Sequence, residues 1–364
     1  LQIQTGKVIK MISFGASKGV IGLDIGASSI KVVQMKRGNP PSLVNYAVVD
    51  LPEDGVVVDG NIADAETAAE CIKEAIGQLS SKGFPIHSAL SGQNVIVRFI
   101  HMPMMNEDDL AETIKFEAEQ YVPYPIEDVA LDFASLSQVE SDVGAGQLLI
   151  LLVVAQKEQI GTFMGCLRQA NVVPEVLDVD TFAVINALNK SIHGENGENV
   201  VSVIDIGAAT SNISILKDGV LQFTRSIPIA GNNITSVIQN VLKLDFEQAE
   251  NVKIQEGIAL DDEENEVSEV VRTIVEELVG EIRRSFDYYK AQHRESQIDK
   301  LIITGGTSKL KNIDVFMANE LGYEVEIGDP LMDVEVEIED QDDFQNKILE
   351  LTVAIGLALR GVVD

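Results

Sequence analysis

The chain has 364 residues, 45% of them hydrophobic and none of them Trp, and its 27 Lys and Arg face 58 Asp and Glu for a formal charge of −31. That length and composition support two or more globular domains with a sizeable core. The acidity excludes non-specific nucleic-acid binding, which needs basic residues to release counterions from phosphate, and it disfavours a polybasic contact with anionic lipid.

Residues 1 to 10 precede Met11, which would open a natural-looking chain, and they read as a tag remnant, an upstream extension or a misplaced start without the apolar core of a signal peptide. VIGLDIGASSIKVV at 20 to 33 has the pattern of strand, tight turn and strand, because β-branched residues flank a Gly that takes the positive φ such turns need. A strand over 43 to 51 follows. Next comes a helix over 64 to 82, with Ala68, Ile72, Ala75, Ile76 and Leu79 on one face and Gly83 as its C′ residue. HSALSG then ends in a strand.

Residues 93 to 170 read as a separate strand, helix, strand, strand, helix module. Asn106 caps a helix over 107 to 121, and Pro123 and Pro125 stop it. A strand near 128 to 137, an acidic loop at 140 to 147, the buried strand LLILLVVA at 148 to 155 and a helix over 157 to 170 complete it. The aliphatic run is far too short to span a bilayer. Cys71 and Cys166 both fall in predicted helices, which argues for a reducing, cytosolic compartment and against a disulfide framework or a zinc site.

A helix at 180 to 192 leads through a linker, HGENGEN, to a second hairpin, VSVIDIGAATSNIS at 201 to 214, and a further tight turn at Lys217-Asp218-Gly219. Helices over 231 to 243 and 245 to 254 precede the run DDEENE at 261 to 266, which reads as solvated surface rather than a metal site. A long helix over 267 to 292 carries Val270, Ile274, Leu278, Ile282 and Phe286 in an i, i+4 series. The strand LIIT meets Gly305-Gly306 and a helix over 308 to 321, and a last helix spans 344 to 359.

The two hairpins share the tetrapeptide Asp-Ile-Gly-Ala, starting at Asp24 and Asp205. Each turn is expected to leave free N–H groups, on Gly26, Ala27, Ser28 and Ser29 and on Gly207, Ala208, Ala209, Thr210 and Ser211. Such successive amides make an anion nest, to which the Ser28, Ser29, Thr210 and Ser211 hydroxyls add donors. The aspartates suit a hydrated Mg²⁺ held through water. One such turn is only a turn; two in distant contexts point to two similar domains, each offering a phosphate-binding turn across a cleft. The pair Gly305-Gly306 lets a ligand approach the backbone at a helix N-terminus.

This order resembles the ATP-binding superfamily of actin, heat-shock chaperones and sugar kinases, over nearly the whole chain from about residue 20. VIGLDIGASSIKVV is similar to the first phosphate motif, with Lys31 where actins place a phosphate-contacting lysine. VLDVDTFAVINAL at 176 to 188 is similar to the first connecting helix, VIDIGAATSNISIL to the second phosphate motif, LIITGGTSKLKN to the adenosine motif and AIGLALRG to the second connecting helix. The resemblance implies an α/β chain with an actin-like, ribonuclease H-like two-domain ATPase fold. It implies ATP and Mg as cofactors, with Asp24 and Asp205 holding Mg²⁺ through water and Gly305, Gly306 and Thr307 bordering the nucleoside. Glu281 and Arg284 either face adenine or ribose or point to solvent. Asp180, with Asp178 nearby, either orients an attacking water or only caps its helix, so hydrolysis is expected to be weak or absent.

The inserted module narrows the resemblance to the cell-division protein FtsA and the pilus assembly protein PilM, and GLDIGASSIKVV, KFEAEQYVPYP, EIRRSFDYY and LIITGGTSKLKN resemble PilM. That family implies a cytosolic ATP-binding adaptor of type IV pilus assembly, held at the inner membrane by PilN. The N-terminal peptide of PilN would dock between the first-half core and the module; other pilus components and a homo-oligomer stay open as partners, and direct membrane insertion is not expected. An FtsA-like cytoskeletal protein and a slow ATPase are the alternatives, although FtsA's amphipathic tail is not seen before Asp364. The implied domains are an extension at 1–19, a first core at 20–92, 171–195 and 340–364, the inserted α+β subdomain at 93–170, a second core at 196–230 and 296–339, and a helical small subdomain at 231–295.

Overall fold

The computed structural model describes residues 19–52, 55–80, 82–139, 146–193, 200–259, 265–293 and 297–363. The expected N-terminal extension, and most of the acidic loop at 140 to 147, of the HGENGEN linker and of the run at 261 to 266, lie outside them.

Strands β1 (Gly19–Ile25) and β2 (Ser29–Lys36) form the first hairpin, with Asp24 opposite Lys31, and β3 (Ser42–Asp50) extends it. The short strands β4 (Val57–Val58) and β5 (Asn61–Ile62) pair separately. Helix α1 (Ala65–Gly77) starts where the Asp64 carboxylate accepts the Glu66 and Thr67 N–H groups. It stops five residues short of the expected 82, because the chain turns to bury Leu79 and to offer the Ser80 carbonyl to Gln34. Gly83 does take a positive φ of 83°, but in the following turn.

Strand β6 (Ile86–Leu90) runs parallel to β1. The inserted region then supplies β7 (Val95–Pro103), α2 (Glu107–Ala118), β8 (Val129–Val139), β9 (Gln147–Gln156) and α3 (Lys157–Gln169). Asn106 caps α2 by accepting the Asp109 N–H. The three strands form an antiparallel sheet in the order β7-β9-β8, and Leu110, Ile114 and Ala118 of α2 pack on Ile150, Leu152 and Val154. Helix α3 joins this sheet to the first-half core: its Phe163, Cys166 and Leu167 pack with Ala68, Ala69 and Ile72 of α1, and Val95, Val97, Leu151 and Ala155, on the sheet face away from α2, belong to the same cluster.

Strand β10 (Val176–Val179), α4 (Asp180–Ala187) and α5 (Asn189–Ile192) follow. The second half opens with β11 (Val200–Ile206), β12 (Ser211–Lys217) and β13 (Val220–Ile227). Asp218 and Gly219 join β12 to β13 with φ of 51° and 75°, the left-handed pair that matches strand twist. Helices α6 (Gly231–Leu242), α7 (Phe246–Glu256) and α8 (Glu266–Gln292) come next. On α8 the buried row is Val271, Val275, Leu278, Val279, Ile282, Phe286 and Tyr289, while Val270 and Ile274 are half-buried. A strict i, i+4 series drifts by about 40° per step around a helix of 3.6 residues per turn, so only its later members stay on the core face.

Strand β14 (Lys300–Thr304) leads into a 3₁₀ turn, Gly306–Lys309, and α9 (Ile313–Leu321) begins only after Asn312 at φ 66°. The expected continuous helix from 308 is thereby corrected, and no α-helix N-terminus sits at the glycine pair. Strands β15 (Glu324–Ile327) and β16 (Glu335–Val336) precede α10 (Gln341–Lys347), a 3₁₀ turn and α11 (Thr352–Val362), where one helix over 344 to 359 was expected.

Two larger sheets result, ordered β10-β6-β1-β2-β3-β16 and β13-β12-β11-β14-β15. In each, a Asp-Ile-Gly-Ala hairpin is flanked by a parallel strand, β6 or β14, beside its first member. Helices α4 and α11 pack together against the first sheet, and glycines set their closeness. A Cβ on Gly356 would overlap the Ala183 carbonyl, and one on Gly22 the Ala354 carbonyl. Gly356→Ala is therefore expected to destabilise the fold by about 3 kcal/mol in urea denaturation, the upper range of overpacking. Gly165→Ala on α3, where a Cβ meets nothing within 4 Å, is the control and should be neutral or stabilising.

Candidate functional site: a carboxylate cleft between two hairpin turns

The first turn is closed by its own backbone, since the Gly26 N–H donates to the Ser29 carbonyl at 3.1 Å. The expected nest therefore loses Gly26 and keeps Ala27 and Ser28, whose N–H groups have no protein acceptor among the described residues. Lys31 lies opposite Asp24 in the ladder, so the two side chains leave the hairpin on one face. The Lys31 ammonium is 3.5 Å from Asp24 Oδ2 and 3.4 Å from the Ser29 carbonyl, and it is buried. A Cβ on Gly26 would come within 2.8 Å of that ammonium, which would have to swing aside. The positive φ expected of the hairpin glycines is not taken by Gly26 or Gly207, because each turn is closed by a hydrogen bond that a negative φ allows. The Ser29 side chain is buried in β2, leaving Ser28 as the more exposed hydroxyl.

The second turn repeats the closure. The Gly207 N–H donates to the Thr210 carbonyl at 3.0 Å, and the Gly207 carbonyl accepts from the Gly231 N–H at 3.1 Å and the Thr307 hydroxyl at 2.7 Å. Ser211 is fully buried and its hydroxyl donates to the Ile229 carbonyl at 2.7 Å, so it offers no donor to a ligand. The Ala208 carbonyl is taken by the Asn232 N–H at 2.7 Å. Amides of Ala208 and Ala209 and the side chain of Thr210 remain. Gly305, at φ 88°, packs its α-carbon so closely on Asp205 that a Cβ would overlap Oδ1. Gly306 and Thr307 continue this loop past the second turn.

Asp180 closes the cleft from the N-terminus of α4. Its Oδ1 accepts the Gly92 N–H at 2.9 Å and the Thr181 N–H at 2.6 Å, and its Oδ2 accepts from Asn212 at 3.3 Å. Burial pushes the Asp205 carboxyl up to about 7, helped by the charges of Asp180 and Asp24 and opposed by Lys31 and Asn212. Asp180 is pushed up to about 6, again by burial first, opposed by the Gly92 and Thr181 hydrogen bonds and assisted by Asp24. Asp24, Lys31, Asp180 and Asp205, drawn from both halves, thus sense one another. Asp178 does not join them: it ion-pairs with Arg360 of α11. Among the described residues no three acidic, His or Cys side chains are grouped to ligate a metal directly, so coupled carboxylates, free turn amides and the glycine-only approach at Gly305 fit a cation only if it is held through water with a phosphate chain.

Glu281 pairs with Arg225 of β13 at 2.9 Å and with Arg284, whose side chain is exposed. Lys253 of α7 stands beside Thr307. Its ammonium is 2.6 Å from Glu250 Oε2 and 3.1 Å from the Thr235 hydroxyl, and a Cβ on Gly231 would meet both Lys253 and Thr307. Nothing in the sequence marks Lys253 beyond a Glu one turn before it; its burial is a product of α6 and α7 packing.

A second cleft, of about 490 Å³, lies between β5, β7 and β13, walled by Asn61, Asn94, Arg98, Thr181, Arg225 and Ser226. A smaller recess adjoins it between Tyr124 and Gln159 of α3. Gln159 donates to Asn94 at 3.1 Å, while its Oε1 is buried without a hydrogen-bond partner. This groove separates the first-half core from the inserted sheet.

No helix among the described residues is long and apolar enough to cross a membrane. The family model for the type IV pilus assembly protein PilM matches residues 22–362. Among solved structures, a PilM–PilN type IV pilus biogenesis complex contains a chain that is 31% identical, superposes with a TM-score of 0.84, and covers 96% of this chain and 100% of its own. The MreB 5 protein of Spiroplasma citri bound to AMPPNP, 14% identical, shares the fold with a TM-score of 0.54, covering 93% and 94%. Cell division protein FtsA of Escherichia coli K12 is 22% identical over 368 residues, 88% of this chain and 86% of that one. FtsA of Bacillus subtilis is 27% identical over 273 residues, 69% of this chain and 61% of the relative, so that match spans less than two thirds of its length. The fold is thus actin-like, FtsA is a relative, and the chain belongs to the family of the type IV pilus assembly protein PilM.

Proposed function

We propose that this protein serves type IV pilus assembly as an ATP-binding adaptor, docking the N-terminal cytosolic peptide of a PilN-like inner-membrane protein in the groove between its first-half core and its inserted sheet. The observation that carries this reading is that two clefts meet at the start of α4. Asp180 faces the carboxylate cleft, and Thr181, the next residue, walls the groove. The likeness to the chain of the PilM–PilN complex supports the choice of partner. In this reading the protein reaches the inner membrane through that partner.

Mg²⁺, when bound, would neutralise the carboxylates and draw in the phosphate oxygens. Asp24 and Asp205 would hold its waters, the amides of Ala27, Ser28, Ala208 and Ala209 would cradle phosphate, and Lys31 would offset its charge. Lys253 and Glu250 would border the nucleoside with Gly305, Gly306 and Thr307. Asp180 is a poor general base here. Its two oxygens already accept from Gly92, Thr181 and Asn212, so it acts as a latch, and hydrolysis is slow or absent. In the recess beside the groove, Gln159 Oε1 is buried without a partner, and an extended peptide would gain it as an acceptor once the side chain turned outward.

Two outcomes follow from this geometry. Asp205 and Asp180 titrate at about 7 and about 6 when folded, above the range of an unfolded Asp, so the folded nucleotide-free protein holds the extra protons. Their contribution to stability is fully present below a pH of about 4 and is lost as the pH rises through about 7. Asp205→Asn should therefore gain stability relative to wild type from about pH 5 to about pH 8 in thermal melts, while its Mg·ATP affinity falls by about tenfold or more in calorimetry. The PilN N-terminal peptide should bind saturably, and Gln159→Leu should weaken it about fivefold, the size of one lost hydrogen bond. A wild type that ignores the peptide would remove the adaptor reading and favour a division-type role.

A further inference from the structure

Asn212 stands where the two clefts meet. On β12 it lies opposite Asp205 of β11 and Ser226 of β13, so these three side chains share one face of the second sheet. It is only 5% exposed. Its amide nitrogen donates to Asp180 Oδ2 across the gap between the halves, at 3.3 Å. Its amide oxygen accepts from the Ser226 hydroxyl at 2.6 Å. Asp180 in turn holds the Gly92 N–H at 2.9 Å. Gly92 and Ser226 both wall the 490 Å³ groove, and a Cβ on Gly92 would already be 3.1 Å from the Ser226 oxygen.

The chemistry of an amide makes this link directional. Its donor end suits a carboxylate and its acceptor end accepts from the Ser226 hydroxyl, so a shift of the side chain away from Asp180 also strains its bond to Ser226. A cation drawn to these carboxylates would compete with Asn212 for the Asp180 oxygen it now holds. A ligand shifts a conformation only through such a differential contact.

We propose that Asn212 is a positioning residue that couples occupancy of the carboxylate cleft to the shape of the peptide groove, through Ser226 on one side and Asp180 with Gly92 on the other. The inference rests on the two-cleft reading above, and it adds the regulation of the groove. By linkage, peptide in the groove would tune nucleotide affinity by the same factor.

The test is amide hydrogen exchange on the full chain, with and without saturating Mg·ATP. Wild type is expected to change its exchange rate over residues 91–98 and 224–227 by about fivefold or more, the lower range of site coupling. Asn212→Leu, which keeps the volume and loses both ends of the amide, should abolish that change at full nucleotide occupancy. Ser226→Ala, which removes only the far hydroxyl, gives the same readout if Asn212→Leu does not fold. In parallel, the affinity of the PilN N-terminal peptide should differ about fivefold between nucleotide-free and Mg·ATP-saturated wild type, and by less than about twofold in the variants. An exchange response that persists in both variants, or that is missing from nucleotide-loaded wild type, overturns the coupling. A wild type that responds to Mg·ATP but binds no peptide keeps the coupling and removes only the adaptor reading; one that binds no Mg·ATP removes the cleft reading and the coupling together.

Discussion

Three carboxylates held close in a partly dry cleft are the constraint around which this molecule is arranged. Asp24, Asp180 and Asp205 repel one another, and burial denies them the water that would screen them. The surroundings answer with a buried ammonium on Lys31, backbone N–H groups on Gly92 and Thr181, and the amide of Asn212. These groups moderate the repulsion without removing it, and the carboxyls of Asp180 and Asp205 stay raised.

Duplication supplies the means of bringing the carboxylates together. Each half builds an antiparallel hairpin beside a parallel strand, so each Asp-Ile-Gly-Ala turn emerges at the same edge of its own sheet. The halves must then approach closely, and small residues allow it. Gly22 and Gly356 let β1, α11 and α4 pack backbone to backbone, which carries Asp180, at the head of α4, to the second hairpin. Gly305 performs the matching approach on the other side, beside Asp205.

The inserted sheet uses the same junction differently. Its first strand begins immediately after Gly92, so the backbone that donates to Asp180 also forms the wall of the groove. Helix α3 returns the chain to the first-half core and contributes Gln159 to that groove from the opposite side. The carboxylate cleft and the groove are thus reached by adjacent residues of α4, Asp180 and Thr181.

The hairpins, the cap at Asn106, the Asp218-Gly219 turn and the stop at YVPYP were legible in the sequence, because each depends on residues within a few positions of one another. So was the repeat, which is a property of the letters alone. What the sequence misjudged lies at longer range. Ser211 and the first amide of each turn looked available, yet a carbonyl three or eighteen residues away takes each of them. Glu281 and Arg284, which the sequence left between a nucleoside and solvent, pair with each other, and Glu281 pairs also with Arg225 of β13. Local turn chemistry and alternation determined the elements and the pair of phosphate-like turns. Only tertiary packing, of α6 on α7 in one case and of the two halves at the head of α4 in the other, decided that Lys253 stands beside Thr307 and Asn212 beside Asp180, because those neighbours are set by distances across the fold and not by spacing along the chain.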